Sequence, residues 1–130
     1  MIIGLDLGTT SAKAVGVAED GTAAAVCTAV YPQQPESRAR QAPEAALGAA
    51  MSVLAEAVAA VGPASVRGIA LSAAMHTLLS VDASGAAHGG VSTWGDARAA
   101  ALPDGSAHRA DLASLYELTG CPPWPVYAPA

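Results

Sequence analysis

Residues Ile2 to Lys13 read Ile-Ile-Gly-Leu-Asp-Leu-Gly-Thr-Thr-Ser-Ala-Lys, an apolar run interrupted by one acidic residue and followed by a polar turn. The apolar run predicts a buried strand over about Ile2–Leu7. The charge of Asp6 inside this run is costly unless it is paired, protonated or bound to a cation. The turn that follows is rich in hydroxyls and backbone N–H groups, and Lys13 then adds a positive charge.

Two interpretations of this segment remain open from the residues alone. Gly8 permits a positive φ and the close approach of a ligand, and successive amides in the turn Gly8, Thr9, Thr10 and Ser11 form a concave anion site. With the Asp6 carboxylate and the Lys13 ammonium beside it, the turn could hold a metal-bound polyphosphate. A β-hairpin with a polar turn and an acidic residue at the strand end explains the same residues without any ligand.

Turn signals predict an antiparallel meander at the beginning of the chain, followed by a helix and a further strand. Asp20-Gly21 is a strong hairpin signal, Pro43 suits the first helical position, and Gly62-Pro63 ends the helix. The predicted elements are strands Ile2–Leu7, Ala14–Ala18 and Ala23–Val30, helix Pro43–Val61 and strand Val66–Leu71. Helical spacing predicts a buried stripe on the helix, formed by Leu47, Met51, Leu54, Val58 and Val61.

The second half of the chain predicts shorter elements. Strands are expected at Leu78–Val81 and Val91–Trp94, with a turn at Asp82-Ala83-Ser84-Gly85 after the first of them. Asp96 is expected to cap a short helix over Ala97–Leu102. A last helix is predicted over Leu112–Leu118, ending at Gly120, and Tyr31 to Gln41 is expected to be an extended surface connection.

Charge and cysteine content restrict the class of partner and compartment. A net charge of −5 without a Lys/Arg cluster disfavours nucleic acid or an anionic membrane as partner. Cys27 and Cys121 suggest neither a metal site nor a disulfide framework, so a reducing cytoplasm is expected. The apolar stretch Ala45 to Val61 is expected to be too short and too weakly apolar to span a membrane.

Gly4-Leu5-Asp6-Leu7-Gly8-Thr9-Thr10-Ser11, followed by Lys13, resembles the phosphate loop of the superfamily of sugar kinases, actin and heat-shock chaperones. The resemblance is best to the N-terminal domain of FGGY carbohydrate kinases, within the gluconokinase and xylulokinase branch. It implies an α/β, ribonuclease H-like ATPase fold, of which residues 1–130 would be a partial N-terminal domain. The predicted order of strands and helix agrees with that fold.

The same resemblance implies a site for ATP and Mg²⁺ in the first segment. Asp6 would hold Mg²⁺ directly or through water. The turn formed by Gly8, Thr9, Thr10 and Ser11 would cradle the phosphates, and Lys13 would supply positive charge.

Two later segments resemble the sugar-binding side of these enzymes. Met75-His76 follows a strand end and would contact the sugar by this resemblance, although on spacing alone an interior histidine is the more common outcome. The residues Ala73-Ala74 before this pair are more similar to gluconokinases than to xylulokinases. Trp94-Gly95-Asp96-Ala97-Arg98 resembles the family's Trp-x-Asp-x-Arg segment, in which Trp94, Asp96 and Arg98 would line the sugar pocket.

Competing explanations accompany these segments. An Asp96 helix cap beside a surface Arg98 would need no ligand. Thr119-Gly120-Cys121-Pro122 is similar to a family segment near the sugar, or is part of a proline-rich linker.

The resemblance also implies a general-base aspartate in a Gly-Asp context, and no matching segment occurs before Ala130. We therefore expect an incomplete kinase domain, with the base and the C-terminal domain lying beyond it, that binds nucleotide weakly if at all and is inactive alone. The expected substrate of the whole enzyme is gluconate, with xylulose or another sugar next. The alternatives are an assembly module of the actin or heat-shock chaperone type, or a stand-alone interaction domain that forms a homodimer through exposed strand edges.

Overall fold

The computed structural model describes residues 1–32, 40–96 and 112–120. Contacts divide the chain into a first unit, Met1–Gln33 with Ala42–Ala74, and a second unit, Gln34–Gln41 with Met75–Ala130. The first unit contains strands β1 (Ile2–Leu7), β2 (Ser11–Val17), β3 (Ala23–Val30) and β5 (Gly68–Ala73), helix α1 (Pro43–Val61) and a 3₁₀ turn at Pro63–Ser65. The second contains strands β4 (Arg40–Gln41) and β6 (Val91–Ser92) and helix α2 (Leu112–Thr119).

A four-stranded mixed sheet forms the centre of the first unit. Its order is β3-β2-β1-β5. β2 is antiparallel to both β1 and β3, and β5 is parallel to β1. The Asp20-Gly21 hairpin forms as predicted, because Gly21 adopts a φ of 85° and the Thr22 amide donates to Asp20 Oδ1 at 2.9 Å. The predicted meander and parallel fourth strand are therefore confirmed.

The bounds of two strands, β2 and β5, differ from the prediction. β2 begins at Ser11 rather than Ala14, because its ladder with β1 and β3 extends to the turn, where Ser11 pairs with Val30. β5 begins at Gly68 rather than Val66, because the Val66 amide still bonds the Pro63 carbonyl at 3.2 Å and closes the 3₁₀ turn. β5 then continues to Ala73, two residues further than predicted.

The boundaries of α1 agree with the prediction at both ends. Pro43 occupies the start of the helix, and Gly62 ends it with a φ of 83°. The Ser65 hydroxyl bonds the carbonyls of Val61 and Gly62, each at 2.8 Å, and so satisfies acceptors that a helix end leaves open.

The predicted buried stripe of α1 is wrong for Leu47 and Met51 and confirmed only in part for the other three residues. The buried residues are Ala50, Val53 and Ala57, whereas Leu47 and Met51 are 63% and 58% exposed. Small side chains let the helix lie close to the sheet: a Cβ added to Gly16 of β2 would lie 2.7 Å from Val61 Cγ1. The larger side chains at helical spacing therefore lie to one side of the contact, and only Leu54, Val58 and Val61 of the predicted stripe pack partly against the core.

β1 is buried on one face only, which corrects the expectation of a fully buried strand. Ile3 and Leu5 lie in the core beneath α1, and Ile2 and Asp6 are exposed. Because side chains alternate along a strand, Gly4 and Asp6 lie on the face opposite to α1. The carboxylate of Asp6 thus retains access to water, and the cost of a buried charge does not arise.

By length and composition, α1 is able to span a membrane, contrary to the expectation. It packs on β1, β2 and β3, however, and its buried alanines and valine belong to the same cluster as Ile3 and Leu5. This is the packing of a core helix in an α/β domain.

The second unit has less regular structure than the sequence predicts. β4 pairs with β6 antiparallel, so Arg40–Gln41 is a short strand rather than part of an extended connection. The predicted strand Leu78–Val81 is reduced to two isolated bridges, Leu78 to Ser92 and Val81 to Ala87. The strand predicted over Val91–Trp94 stops at Ser92, because Trp94 and Gly95 form a turn.

The remaining predictions for this unit have mixed outcomes. The Asp82–Gly85 turn is confirmed by the Gly85 amide, which donates to the Asp82 carbonyl at 3.0 Å. The last helix is confirmed as α2 and is followed by Gly120 at a φ of 66°. The helix predicted over Ala97–Leu102 lies outside the described residues.

Candidate phosphate and sugar site

The Gly8–Ser11 turn is the tight connection between β1 and β2. The Gly8 amide donates to the Ser11 carbonyl at 2.9 Å, while Thr9 and Thr10 form the bend between them. Thr10 is exposed and its carbonyl accepts the Tyr31 amide at 2.9 Å. The hydroxyls predicted to face a ligand are therefore held on a short turn that is fixed to two strands.

Glycine is required at position 8 by space rather than by a positive φ, which corrects one of the two reasons given for it. The positive-φ glycines of the described residues do not include Gly8. A Cβ at Gly8 would lie 3.1 Å from the Ser11 carbonyl oxygen and 3.8 Å from Asp6 Oδ2. The missing side chain leaves room beside the carboxylate of Asp6.

Asp6 and Lys13 flank the turn on neighbouring strands. They are direct partners in the antiparallel ladder, so their side chains share the sheet face that α1 leaves uncovered. Both residues are exposed. Within residues 1–32, 40–96 and 112–120, the salt bridge is formed by the surface pair Arg67–Glu19 and not by Asp6 with Lys13. A carboxylate and an ammonium are thus available together at the turn.

A groove of about 270 Å³ crosses β2, β1 and β5 on the first unit. Its surface is almost wholly apolar, and its lining residues are Gly4, Leu5, Asp6, Lys13, Val15, Ala70, Leu71 and Ser72. Ser72 is the partner of Asp6 on β5, so the three polar side chains occupy one row across the sheet.

The residues around the turn fit a magnesium-bound polyphosphate. The part of the chain that the structure describes contains no cluster of three or more His, Cys, Asp or Glu side chains for a metal. Mg²⁺ commonly uses one or two carboxylates and takes its other ligands from phosphate and water. Asp6 can supply one carboxylate, and the space kept open by Gly8 lies next to it.

Tyr31 is a residue of this region that the sequence motifs do not contain. It is only 5% exposed, belongs to the core cluster, and its hydroxyl has no hydrogen-bond partner among the described residues. Burial, and secondly the charge of Asp6, raise the pKa of Tyr31 above its ordinary value. The available signal in the sequence was the position of this tyrosine, directly after β3.

Met75 and His76 form a turn in the second unit, directly after the end of β5 in sequence. Met75 is exposed, and His76 is partly buried with a φ of 54°. This left-handed backbone is costly for a residue with a Cβ and is often found where a side chain has a functional role. The Thr77 hydroxyl contacts the Met75 carbonyl at 3.5 Å.

Thr93 to Asp96 form a second turn of the same unit. The Asp96 amide donates to the Thr93 carbonyl at 2.9 Å, and Thr93 is buried. Trp94 at the tip is 59% exposed, and Asp96 is partly buried. An exposed indole beside a carboxylate can pack against a carbon chain and bond its hydroxyls.

Some predicted residues lie outside this description. Arg98 and the segment beginning at Cys121 are not among the described residues, and of Thr119 only the helical backbone is described. The structure places Asp6, Lys13 and the Gly8–Ser11 turn together in the first unit, and Met75, His76, Trp94 and Asp96 in the second.

An antiparallel meander, a helix and a parallel strand, with a polar turn after an acidic strand end, are the arrangement of the ribonuclease H-like ATPase fold. Solved structures share this fold. A gluconate kinase from Lactobacillus acidophilus superposes with a TM-score of 0.79 at 24% identity, over 96% of this chain and 26% of its own. A xylulose kinase from the same organism gives 0.73 at 23% identity, over 89% of this chain and 24% of its own.

A xylulose kinase from Rhodospirillum rubrum gives a TM-score of 0.66 at 24% identity, over 89% of this chain and 23% of its own. No curated protein matched the chain. The family model for the N-terminal domain of FGGY carbohydrate kinases matches residues 1–129. The chain belongs to the FGGY family of carbohydrate kinases and spans about a quarter of the length of these solved relatives.

Proposed function

We propose that the enzyme to which this chain belongs transfers the γ-phosphoryl group of ATP to a hydroxyl of a sugar or sugar acid, with gluconate as the first candidate and xylulose as the second. The observation that carries the proposal is the hydroxyl-rich Gly8–Ser11 turn, in which the missing side chain of Gly8 leaves space beside the carboxylate of Asp6. In phosphoryl transfer, the protein acts mainly by positioning groups and by neutralising charge.

The first unit would supply the phosphate side of the reaction. Asp6 would hold Mg²⁺, whose chemistry is to neutralise charge on the phosphate oxygens. Thr9, Thr10 and Ser11 would bind those oxygens through amides and hydroxyls, and Lys13 would add a positive charge. Gly8 would contribute the space beside Asp6, because its amide closes the turn on the Ser11 carbonyl. Lys13, Asp6 and Ser72 are ladder partners on neighbouring strands, which supports a shared role for Asp6 and Lys13.

The second unit would supply the sugar side. Met75, His76, Trp94, Asp96 and Arg98 are the proposed contacts, with Trp94 packing on the carbon chain and the polar groups bonding hydroxyls or a carboxylate. Gluconate is favoured over xylulose by Ala73-Ala74-Met75-His76 and by Thr119-Gly120-Cys121-Pro122, which are more similar to gluconokinase segments.

Phosphoryl transfer also needs a base that takes the proton of the attacking hydroxyl while ADP leaves with the bond electrons. We propose that this base is a Gly-Asp aspartate of the whole enzyme outside residues 1–130, because those residues contain no segment that matches it. The 130-residue chain, for which we propose a cytoplasmic location, would then bind ligands weakly and would not turn over substrate. A coupled assay of ADP release with gluconate, xylulose and glycerol checks this, and turnover at ordinary kinase rates by the chain alone would contradict it.

Ligand binding by the chain tests the phosphate side directly. Chemical shifts of backbone amides are followed by NMR as MgADP is added, in the wild type, in Asp6→Asn and in the control Glu56→Gln, which removes an exposed carboxylate on α1. We expect Gly8 to Lys13 to shift in the wild type and in the control, and the shifts to weaken strongly in Asp6→Asn. Equal shifts in all three proteins would exclude Asp6 as the metal-binding residue.

A non-catalytic interaction module is the second candidate, and one observation favours it. β5 is at the edge of the four-stranded sheet, and its Ile69 and Leu71 are exposed. An exposed apolar edge strand is a template for pairing with another strand. Light scattering would show a concentration-dependent dimer that Leu71→Lys abolishes, without any response to MgADP or sugar, if this function were the correct one.

A further inference from the structure

The sheet face opposite to α1 carries one polar row beside an apolar one. The polar row is formed by ladder partners on all four strands: Thr28, Lys13, Asp6 and Ser72. Residues that are paired in a ladder point to the same side of the sheet, so these four side chains lie on one face. The next row away from the turn consists of Val26, Val15, Gly4 and Ala70. The polar side chains of these two rows are therefore all in the row nearer the turn.

Packing does not explain the serine of this row. Ser72 is exposed and does not belong to the core cluster beneath α1. Strands favour β-branched and aromatic residues, so strand propensity does not account for a serine in β5. Its hydroxyl is free of any task in the fold of the first unit and is open to a ligand.

Ser72 is near enough to Asp6 for both to contact one ligand. The two residues are direct partners on neighbouring strands, which lie about 4.8 Å apart in a sheet. Both residues also line the groove that crosses β2, β1 and β5. The Ser72 hydroxyl therefore lies on the β5 side of the Asp6 carboxylate.

The charge of Lys13 determines on which side of Asp6 a cation would bind. Lys13 is the partner of Asp6 on β2, so its ammonium repels a cation from that side. The opposite side is the one on which Ser72 lies. Mg²⁺ takes oxygen ligands and keeps several of its waters, and a serine hydroxyl can bind the ion or accept a hydrogen bond from such a water.

We infer that Ser72 supplies, beside Asp6, a second oxygen of the divalent-cation site, bound to the ion directly or through one of its waters. This inference rests on the proposed function of Asp6. It deepens that proposal, because Ser72 belongs neither to the phosphate turn nor to the sugar segments, and because it fixes the side of Asp6 on which the ion lies.

The substitution Ser72→Ala removes only the hydroxyl. We expect the affinity for MgADP, measured by NMR titration, to fall about three- to tenfold, which is the effect of one hydrogen bond or neutral ligand. Ser72→Thr keeps a hydroxyl and should keep the affinity. Thr28→Ala is the matched control: Thr28 is exposed in the same row, on the opposite edge strand and roughly 10 Å from Asp6, so the affinity should stay unchanged. Urea unfolding of each variant shows that it is folded.

A paramagnetic ion locates the site without any variant. Mn²⁺ uses the same oxygen ligands as Mg²⁺, and its broadening of NMR signals falls steeply with distance. With a small amount of MnADP, we expect the side-chain signals of Ser72 to broaden as strongly as those of Asp6. The signals of Thr28 should broaden far less.

Three results would contradict the inference. Wild-type affinity in Ser72→Ala, or broadening at Ser72 no stronger than at Thr28, would overturn it and leave the proposed function intact. An equal loss of affinity in Ser72→Ala and Thr28→Ala would also overturn it, because it would show a general effect on this face of the sheet. Failure of the wild-type chain to bind MgADP, or the absence of broadening at Asp6, would overturn the proposed function and this inference together.

Discussion

Asp6 of β1 lies directly opposite Lys13 of β2, and the turn that joins these strands begins two residues after Asp6. The pairing puts an acid and a base on one face of the sheet at the mouth of the turn. A ligand with both a cation and anionic oxygens can meet a group of the opposite charge at each side. This arrangement follows from the register alone, because a shift by one residue would move Asp6 opposite an alanine.

The substitution Gly8→Ala should weaken ligand binding at the turn. The new Cβ would lie 3.1 Å from the Ser11 carbonyl oxygen, so the turn must shift by a few tenths of an ångström, and it would fill space beside the Asp6 carboxylate. We expect a loss of about 1 kcal/mol in stability and at least tenfold in MgADP affinity, measured by urea unfolding and NMR titration. Gly48→Ala is the control: no atom lies within 4 Å of its added Cβ, and an alanine inside α1 should stabilise the chain by about 0.5–1 kcal/mol.

The substitution Gly16→Ala should destabilise the contact between α1 and the sheet. Its Cβ would lie 2.7 Å from Val61 Cγ1, which forces a shift of the helix or the side chain. We expect a loss of about 1–3 kcal/mol in the free energy of unfolding, as overpacked cores show. Val61→Ala should recover part of this loss in the double variant, and additive losses would show that the two residues do not meet.

The substitution His76→Gly should raise stability and lower sugar affinity at the same time. Glycine adopts the φ of 54° without the strain that a Cβ brings, which is worth about 1 kcal/mol. The imidazole proposed to bind the sugar is lost in the same step. His88→Ala, at an exposed histidine with no assigned role, should change neither thermal unfolding nor the calorimetric response to gluconate. A fall in stability on His76→Gly would mean that the imidazole supports the fold.

Acid should loosen the Asp82–Gly85 turn. Hydrogen bonds from the Ser84 hydroxyl, the Ala86 amide and the Ser84 amide lower the pKa of Asp82 below its ordinary value of 3.8. The carboxylate therefore stabilises the folded state above about pH 3.8, and this contribution is lost as the pH falls through the lowered pKa. NMR titration of the Asp82 carboxyl carbon should show a midpoint below 3.8, and Ser84→Ala should move it upward.

Alkaline conditions should act on Tyr31 with the opposite sign. Its pKa in the folded protein lies above 10.0, so the unfolded chain loses the phenol proton first. Stability is complete below pH 10.0 and falls as the pH rises through the raised value. Urea unfolding between pH 9 and 11 should show this fall in the wild type, and Tyr31→Phe should remove that part of it.

Local signals in the sequence were sufficient for most of the first unit. The Asp20-Gly21 turn, Pro43 and Gly62 each act through their own backbone, so hairpin and helix boundaries could be predicted from single residues. The buried face of α1 could not, because it depends on how close the helix approaches the sheet. Gly16 of β2 sets the distance between the helix and the sheet. The periodicity of the helix itself contains no information on that distance.

The site shows the same division. The phosphate turn could be predicted because its residues are consecutive and its chemistry is local. Tyr31 was missed because its contact with Thr10 is created by strand pairing, and its burial by the packing of the core cluster. In the second unit, β4 and β6 contain two residues each, too few for any alternation to be recognised.

The close seating of α1 has a consequence for how its sequence can vary. Ala50 and Ala57 face the sheet and are limited by volume, so even an added methyl group would be selected against. Leu47 and Met51 are exposed to water, so polar replacements at these two positions would be accepted. Saturation mutagenesis of the nineteen-residue helix should therefore reveal two stripes. One stripe should reject larger side chains, and the other should accept polar side chains.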